Sequence, residues 1–236
     1  RDSFESLLGE KLTDESTPIP LDKLQIFSQM ANKGGEAAGD NITMMTDINT
    51  TVNVSRMSFL RIEQLTARLG DNRQVGVVVE LTGLPSGYVL VLFDESSAGT
   101  VVEAMGAGPV NNTFEPIHQS AIEEICNIMI SGFIDGWANM LGTSNQHTPP
   151  EFVHDFASAI GDPIVADLAS RQEYAFMFDT LVQTTGEAVS CQILALPEEQ
   201  ELQRALEELS PDKLTTDIES QMYADSNSIF NKNKDS

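Results

Sequence analysis

The chain has 236 residues, with 36 Asp and Glu against 13 Lys and Arg, and its formal net charge is −23 at pH 7. A surface of this sign repels nucleic-acid phosphates and anionic lipids, which argues against both as partners. No apolar run reaches the roughly 18 residues that a membrane-spanning helix requires. The acidic, polar residues 1–20 do not resemble a signal peptide, so we expect a cytoplasmic protein.

The acidic residues are spread through the middle of the chain as well as its ends. Their mutual repulsion opposes folding at low ionic strength. At molar salt the Debye length falls to about 3 Å and the repulsion is largely screened. This composition is typical of proteins from cells that accumulate salt, so we expect a halophilic source. An acidic binding protein with disordered acidic tails is the alternative interpretation.

The first half of the chain begins with an acidic tail at residues 1–19, which ends at Pro18 and Pro20. Apolar residues at helical spacing predict a helix from Leu21, which Gly34-Gly35 interrupts before a second helical piece at about 36–48. The other predicted elements are a short strand at 52–57, a helix at about 60–69, a hairpin of strands at 74–82 and 88–94, and a helix at about 96–105.

The second half contains the longest helix signal, from about Glu115 to Leu141. Residues 210–236 are polar and are predicted to be disordered. Between them we predict a strand at 150–156, a short helix near 164–169, a hairpin of strands at 173–183 and 188–196 that turns at Thr184-Thr185-Gly186, and an amphipathic helix at about 198–209.

The same order of elements occurs twice, which predicts an internal duplication. The segment from Phe27 to Asn32 lies 95 positions before the segment from Ile122 to Asn127. We therefore expect one α+β domain at residues 20–197, with repeats at about 20–110 and 114–197. The expected architecture has two layers, in which a mostly antiparallel sheet packs against two long helices. Residues 198–236 add a C-terminal helix and tail.

The long helix of the second half has two different faces. At 100° per residue, one face collects the apolar residues, which are Ile122, Ile125, Met129, Phe133 and Met140. The opposite face carries a polar stripe of Ser120, Glu124, Asn127 and Ser131. Residues three apart on a helix are neighbours, so Glu124 and Asn127 should point outward together.

This pair has a definite chemical capacity. A carboxylate binds a cation, and a carboxamide orients a water molecule by donating and accepting hydrogen bonds. Positioning and electrostatics supply most of the catalysis in phosphoryl transfer, so an Asn that holds water in line with phosphorus needs no strong base. We expect no His beside the stripe, because His118 precedes the helix proper and His147 and His154 lie beyond it. An exposed Glu-x-x-Asn alone is most often only a solvated face.

The longer spacing is more specific. The pattern Ser120-x3-Glu124-x2-Asn127-x22-Pro150 resembles the signature of the CheC/CheX/FliY chemotaxis phosphatases. The surrounding run EEICNIMISGFIDGWANMLG, followed by TPPEFVHD, is similar to the second active-site helix and following strand of CheC. The resemblance covers about residues 20–197 and is greatest to CheC, and together with the acidity it suggests a halophilic archaeon.

The resemblance implies hydrolysis of the aspartyl phosphate on a CheY-type response regulator. Glu124 is then expected to pair with a Lys of the phosphorylated receiver domain, and Asn127 to place the attacking water. Ser120 and Pro150 are expected to support the site structurally, with Ser120 near the helix start. Mg²⁺ belongs to the receiver, so no metal or cofactor of this chain is expected. CheD is the expected second partner, and the oligomeric state is left open.

The first repeat departs from the signature. Gln29 stands at the Glu position and Asn32 is retained, while Gln25 and Ser55 occupy the Ser and Pro positions. A neutral Gln cannot form the ionic contact expected of Glu, which costs about 1–3 kcal/mol when the partner is charged. We therefore expect a degenerate first site. The alternative for the whole chain is a non-catalytic adaptor of the same fold that binds CheY, CheD or the motility motor.

The two cysteines, Cys126 and Cys191, lie in apolar surroundings. Neither belongs to a Cys-x-x-Cys pair or to a His-rich segment, which are the patterns of redox and zinc sites. We expect two small buried hydrophobic residues, without a disulfide or a bound zinc ion.

The charge of the chain leads to a prediction about salt. The melting temperature should rise as KCl is increased from about 0.1 M into the molar range, because screening removes the self-repulsion of the acidic surface. Calorimetry at several KCl concentrations measures this effect. Sucrose at matched osmolality is the control for effects that do not depend on charge. A melting temperature that does not respond to KCl would contradict the halophilic interpretation.

Overall fold

The computed structural model describes residues 21–46, 49–83, 85–184 and 188–208. The predicted tails at 1–19 and 210–236 lie outside the described residues, as do residues 185–187 of the predicted second hairpin turn. The limits of the predicted domain and of its repeats stay predictions. No helix within the described ranges combines the length and the apolar character needed to cross a membrane.

The described elements alternate long and short helices with strands. The helices are α1 (Leu21–Thr46), α2 (Leu65–Leu69), α3 (Glu95–Ala104), α4 (Pro116–Leu141), α5 (Ala157–Leu168) and α6 (Glu199–Glu208). A 3₁₀ turn at Ile62–Gln64 precedes α2. The strands are β1 (Thr50–Arg61), β2 (Arg73–Leu81), β3 (Gly87–Asp94), β4 (Glu151–Phe156), β5 (Tyr174–Thr184) and β6 (Ala188–Pro197).

The six strands form one sheet in the order β1-β5-β6-β3-β2-β4, and every neighbouring pair is antiparallel. Each hairpin pairs with the first strand of the other half of the chain, so β1 lies beside β5 and β4 lies beside β2. Exchanging β1, β2 and β3 with β4, β5 and β6 leaves this order unchanged. The sheet therefore has the pseudo-twofold symmetry that the duplication predicts.

The sheet is covered on both faces. In β3, Val89, Val91 and Phe93 belong to the core shared with α1 and α4. The alternate residues Leu90 and Leu92 belong to a second core, formed with α2 and α5. The predicted α+β architecture of an antiparallel sheet and two long helices is confirmed. The expected two layers are three in the structure, because the short helices α2 and α5 cover the opposite face.

Helix α1 corrects one prediction. Gly34 and Gly35 do not interrupt the helix, which continues from Leu21 to Thr46. A Cβ on Gly35 would lie 2.8 Å from the carbonyl oxygen of Val52, and one on Gly34 would lie 2.7 Å from the Phe133 ring. These glycines allow close packing, and that packing compensates for the low helix propensity of Gly.

Two other boundaries differ from the predictions. Residues 60 and 61 belong to β1 instead of a helix, because their backbone pairs with β5. Helix α5 spans Ala157–Leu168 and contains Pro163, whereas the prediction placed a short helix near 164–169. Its buried residues hold this helix against α2 despite the backbone hydrogen bond that a proline lacks. Tertiary contacts thus outweigh local propensity at these places.

Helices α1 and α4 cross through small residues. A Cβ on Gly132 would lie 2.4 Å from the backbone of Ala38, and one on Gly136 would lie 2.8 Å from Gly34. The later residue of α4 therefore meets the earlier residue of α1, which shows that the two helices are antiparallel. Their backbones meet directly, and neither helix can rotate about its axis without a clash.

This crossing leads to a stability prediction. Gly132→Ala should lower the free energy of unfolding by about 1–3 kcal/mol, because the new methyl group has to displace the Ala38 backbone. Urea denaturation measures the change. Gly99→Ala in α3 is the matched control, since nothing lies within 4 Å of a Cβ at that position. It should be neutral or stabilising by up to about 1 kcal/mol. Equal stability of the two variants would contradict the close crossing.

Candidate functional site

Helix α4 carries the site and has a defined start. Its N-cap is Glu115, whose backbone N–H donates to Nδ1 of His118 at 3.1 Å, and Pro116 occupies the first turn. Proline suits this position because its missing N–H has no partner there. Ser120 therefore lies inside the helix, exposed on its outer face, and does not cap it.

The polar stripe is present on the outer face of α4. Ser120 and Glu124 are exposed, whereas Asn127 and Ser131 are half-buried. The opposite face packs into the core, as shown by its buried residues Ile122, Cys126 and Met129. Because that face is immobilised by packing, the backbone that carries Glu124 and Asn127 is rigid.

A loop between α4 and β4 faces this stripe. We call residues 143–150 the site loop. An open groove with a volume of 570 Å³ lies between α4 and the last four residues of the loop. The groove is lined by Ser120, Glu123, Glu124, Asn127, His147, Thr148, Pro149 and Pro150. All four residues of the sequence signature in the second repeat therefore meet in one groove.

The site loop is bound to β2 by backbone contacts. Thr148 donates its N–H to the Glu80 carbonyl at 2.9 Å, and its hydroxyl accepts from the Glu80 N–H at 3.0 Å. His147 forms an antiparallel bridge with Leu81. The loop thus continues the pairing of β4 with β2, and these contacts attach the groove wall to the sheet.

His147 corrects the prediction that no His lies beside the stripe. Its Nε2 lies 3.3 Å from the Ser131 hydroxyl, and its Nδ1 lies 2.8 Å from the Thr148 carbonyl. A carbonyl only accepts, so we assign the tautomer with the proton on Nδ1, in which Nε2 accepts from the Ser131 hydroxyl. Only the pairing of the site loop with β2, which joins residues far apart in sequence, brings this ring back to α4.

The other two histidines have structural contacts. His118 caps the start of α4. His154 Nε2 lies 2.6 Å from a Glu95 carboxylate oxygen, which also pairs with Arg73 at 3.3 Å. These contacts join β4 and β2 to the start of α3. Neither histidine lines the groove.

Cys126 lies behind Asn127 on the buried side of α4. Both Cys126 and Cys191 are free, buried thiols. Burial raises the pKa of the Cys126 thiol well above its ordinary value and raises the pKa of the Cys191 thiol to about 12. Neither forms the reactive thiolate near neutral pH. The prediction of two small buried residues is confirmed.

The charge of the groove is negative. Glu123 and Glu124 are its charged lining residues, and no Lys or Arg is among the described residues that line it. An open acidic groove attracts a cationic group on the surface of a partner. Its openness also suits a protein surface better than an enclosed small molecule.

The first-repeat residues have no part in this groove. Gln29 and Asn32 are both exposed on α1, and neither lines it. The side chains of Gln25 and Ser55 lie outside the described part of the chain. The backbone of Ser55 falls where the pairing of β1 with β5 shifts register, whereas its counterpart Pro150 immediately precedes a strand.

Comparison with known proteins supplies the family. The profile of the family described as chemotaxis phosphatase CheX matches residues 75–179, which include α4 and β4. A Halobacterium salinarum protein provisionally named as the CheY-P phosphatase CheC1 is 34% identical over 189 residues. That alignment covers 78% of this chain and 94% of the relative.

Solved structures share the fold at low sequence identity. Thermotoga maritima FliY matches with a TM-score of 0.67 and 14% identity, covering 80% of this chain and 96% of that one. The middle domain of FliM from H. pylori matches with a TM-score of 0.57 and 10% identity, covering 81% of this chain and 100% of that one. At these identities the likeness concerns the fold alone.

Proposed function

Since the chain belongs to the CheC/CheX/FliY family of chemotaxis phosphatases, we propose that its second-repeat site hydrolyses the aspartyl phosphate of a CheY-type receiver domain. One observation carries the proposal. Glu124 and Asn127 lie together in an open groove on a helix whose other face is fixed in the core. The adjacent acid and amide are thus both accessible to a partner's surface.

Glu124 binds the receiver. Its carboxylate is exposed on α4, in a groove whose charged lining residues are acidic. A Lys of the receiver is the complementary group, and a hydrogen bond between charged groups contributes about 1.5–3 kcal/mol. This contact fixes the position of the receiver relative to α4. It determines where the phosphoryl group lies in the groove.

Asn127 positions the attacking water. Its carboxamide accepts a hydrogen bond from the water and holds the water oxygen in line with phosphorus and the aspartyl leaving oxygen. The new bond joins the water oxygen to phosphorus, and the bond from phosphorus to the aspartate oxygen breaks. The products are inorganic phosphate and the free carboxylate of the receiver, and a proton of the water is released to solvent. A largely dissociative transition state needs little activation of the nucleophile, so an amide suffices.

The receiver supplies the metal. Mg²⁺ held by the receiver's own carboxylates neutralises charge on the phosphoryl group, and the residues of this chain bind the receiver and orient the water. We place the reaction in the cytoplasm of a halophilic archaeon, and CheD is the second partner that the family resemblance suggests. The first-repeat pair, Gln29 and Asn32, has little or no activity, because Gln29 carries no charge to hold the receiver.

The phosphatase assay tests the pair directly. A CheY-type receiver from the same source is phosphorylated, and the loss of its phosphoryl group is followed in molar KCl. Asn127→Ala should lower kcat about a hundredfold, because the water loses its orienting group. Glu124→Gln should raise KM about tenfold, because the charged contact is lost.

The first repeat provides the matched control. Asn32→Ala removes the same carboxamide from α1 and should leave kcat and KM unchanged. Equal losses for Asn32→Ala and Asn127→Ala would reject the assignment to one site. A wild-type protein that binds the phosphorylated receiver without accelerating loss of phosphate would reject the phosphatase and favour the non-catalytic adaptor.

A further inference from the structure

One side chain outside the groove holds the site loop in place. Asn145 lies five residues before Pro150 and is half-buried against the turn between β2 and β3. Its Oδ1 accepts from the Gly83 N–H at 3.1 Å and from the Gln146 N–H at 2.9 Å. Its Nδ2 donates to the Pro85 carbonyl at 3.0 Å. Two donors on one end and an acceptor on the other fix the orientation of the carboxamide.

Gly83 brings the turn unusually close to the loop. A Cβ at Gly83 would lie 2.6 Å from Oδ1 of Asn145 and 2.7 Å from the Ser144 carbonyl oxygen. Any other residue at this position therefore pushes the site loop away from the turn. The separation between the site loop and the turn therefore depends on both residues. Asn145 holds the loop to the turn by hydrogen bonds, and Gly83 has no side chain to push them apart.

The turn itself is held from its far end. The Ser86 N–H and hydroxyl both donate to a Glu201 carboxylate oxygen of α6, at 2.7 and 2.8 Å. The Glu198 N–H donates to the Ser86 carbonyl at 2.8 Å. Helix α6 is anchored in turn by Leu202, which is buried in the core. Asn145 thus binds the site loop to a turn that is itself held in place by α6.

We propose that Asn145 is a positioning residue of the second-repeat site, which sets the distance between the groove wall and Asn127. This inference rests on the proposed phosphatase function. His147, Thr148, Pro149 and Pro150 all follow Asn145 closely in the chain and form the wall opposite α4. A displaced wall allows the receiver to seat with its phosphorus out of line with the water that Asn127 holds. Errors of about 1 Å in such geometry reduce rates by up to about a hundredfold.

The first test disturbs the contact from both sides. Asn145→Ala removes all three hydrogen bonds of the side chain, and Gly83→Ala pushes the loop outward. Each should lower kcat for receiver dephosphorylation about tenfold and change KM less than twofold, because Glu124 still binds the receiver. Asn145→Asp keeps the acceptor oxygen and loses the donor, so it should restore part of the lost kcat.

The controls repeat the same chemical changes elsewhere. Asn112→Ala removes an exposed carboxamide from the loop after α3. Gly99→Ala adds a methyl group where no atom lies within 4 Å. Both should retain the wild-type kcat. Wild-type kcat in both Asn145→Ala and Gly83→Ala would overturn the inference while leaving the proposed function intact.

A double variant separates positioning from loss of stability. If Asn145 acts through the water on Asn127, adding Asn145→Ala to Asn127→Ala should cause no further loss of kcat. If Asn145→Ala merely reduces the folded fraction, the two losses should multiply, and that result would overturn the inference.

Hydrogen exchange tests the loop without using activity. In Asn145→Ala, the amides of Thr82 and Thr148, which join the site loop to β2 and to the residue that follows it, should exchange at least tenfold faster than in the wild type. Asn112→Ala should leave them unchanged. Unchanged exchange in Asn145→Ala would overturn the inference. A wild-type protein without phosphatase activity would reject the proposed function, and with it the catalytic consequence for Asn145.

Discussion

The close crossing of α1 and α4 determines how the rest of the molecule is arranged. Gly132 meets the Ala38 backbone and Gly136 meets Gly34, without intervening side chains. The contact fixes the rotation of each helix about its axis. With its inner face against α1 and the sheet, α4 turns the stripe that carries Glu124 and Asn127 outward. The same contact turns Gln29 and Asn32 of α1 outward, away from the groove. A duplicated fold thus presents two separate surfaces, which could diverge independently.

The surface of the second repeat differs from the surface of the first repeat by more than the presence of Glu124. In the second repeat, the chain before β4 forms the site loop, and Pro149 and Pro150 end it at the groove. The corresponding chain of the first repeat, residues 50–55, is already part of β1, and residues 50–54 pair with β5. The wall opposite α4 is therefore a feature of one repeat. The acidic groove attracts cationic groups on a partner's surface. The net charge of −23 repels itself over long range, and salt screens this repulsion.

The sequence predicted α4, its polar stripe, both hairpins and the duplication, because each depends on local periodicity or on fixed spacing. It did not predict the continuity of α1. Gly34-Gly35 is a turn signal locally, and only the approach of Val52 and Phe133 explains these glycines. It also missed His147 and Asn145, because their contacts with Ser131 and Gly83 depend on the long-range pairing of the site loop with the end of β2. Local patterns therefore gave the catalytic candidates, while long-range contacts gave the residues that hold the groove around them.

In the proposed function, a phosphorylated receiver docks on the groove between α4 and the site loop. Amide chemical-shift mapping with a receiver trapped by Mg²⁺ and beryllofluoride, which imitates the aspartyl phosphate, tests it most directly. We expect shifts and broadening at residues 120–131 and 147–150, with the first-repeat segment 25–36 unaffected. Perturbation centred on α1, or confined to the opposite face at α2 and α5, would contradict the claim.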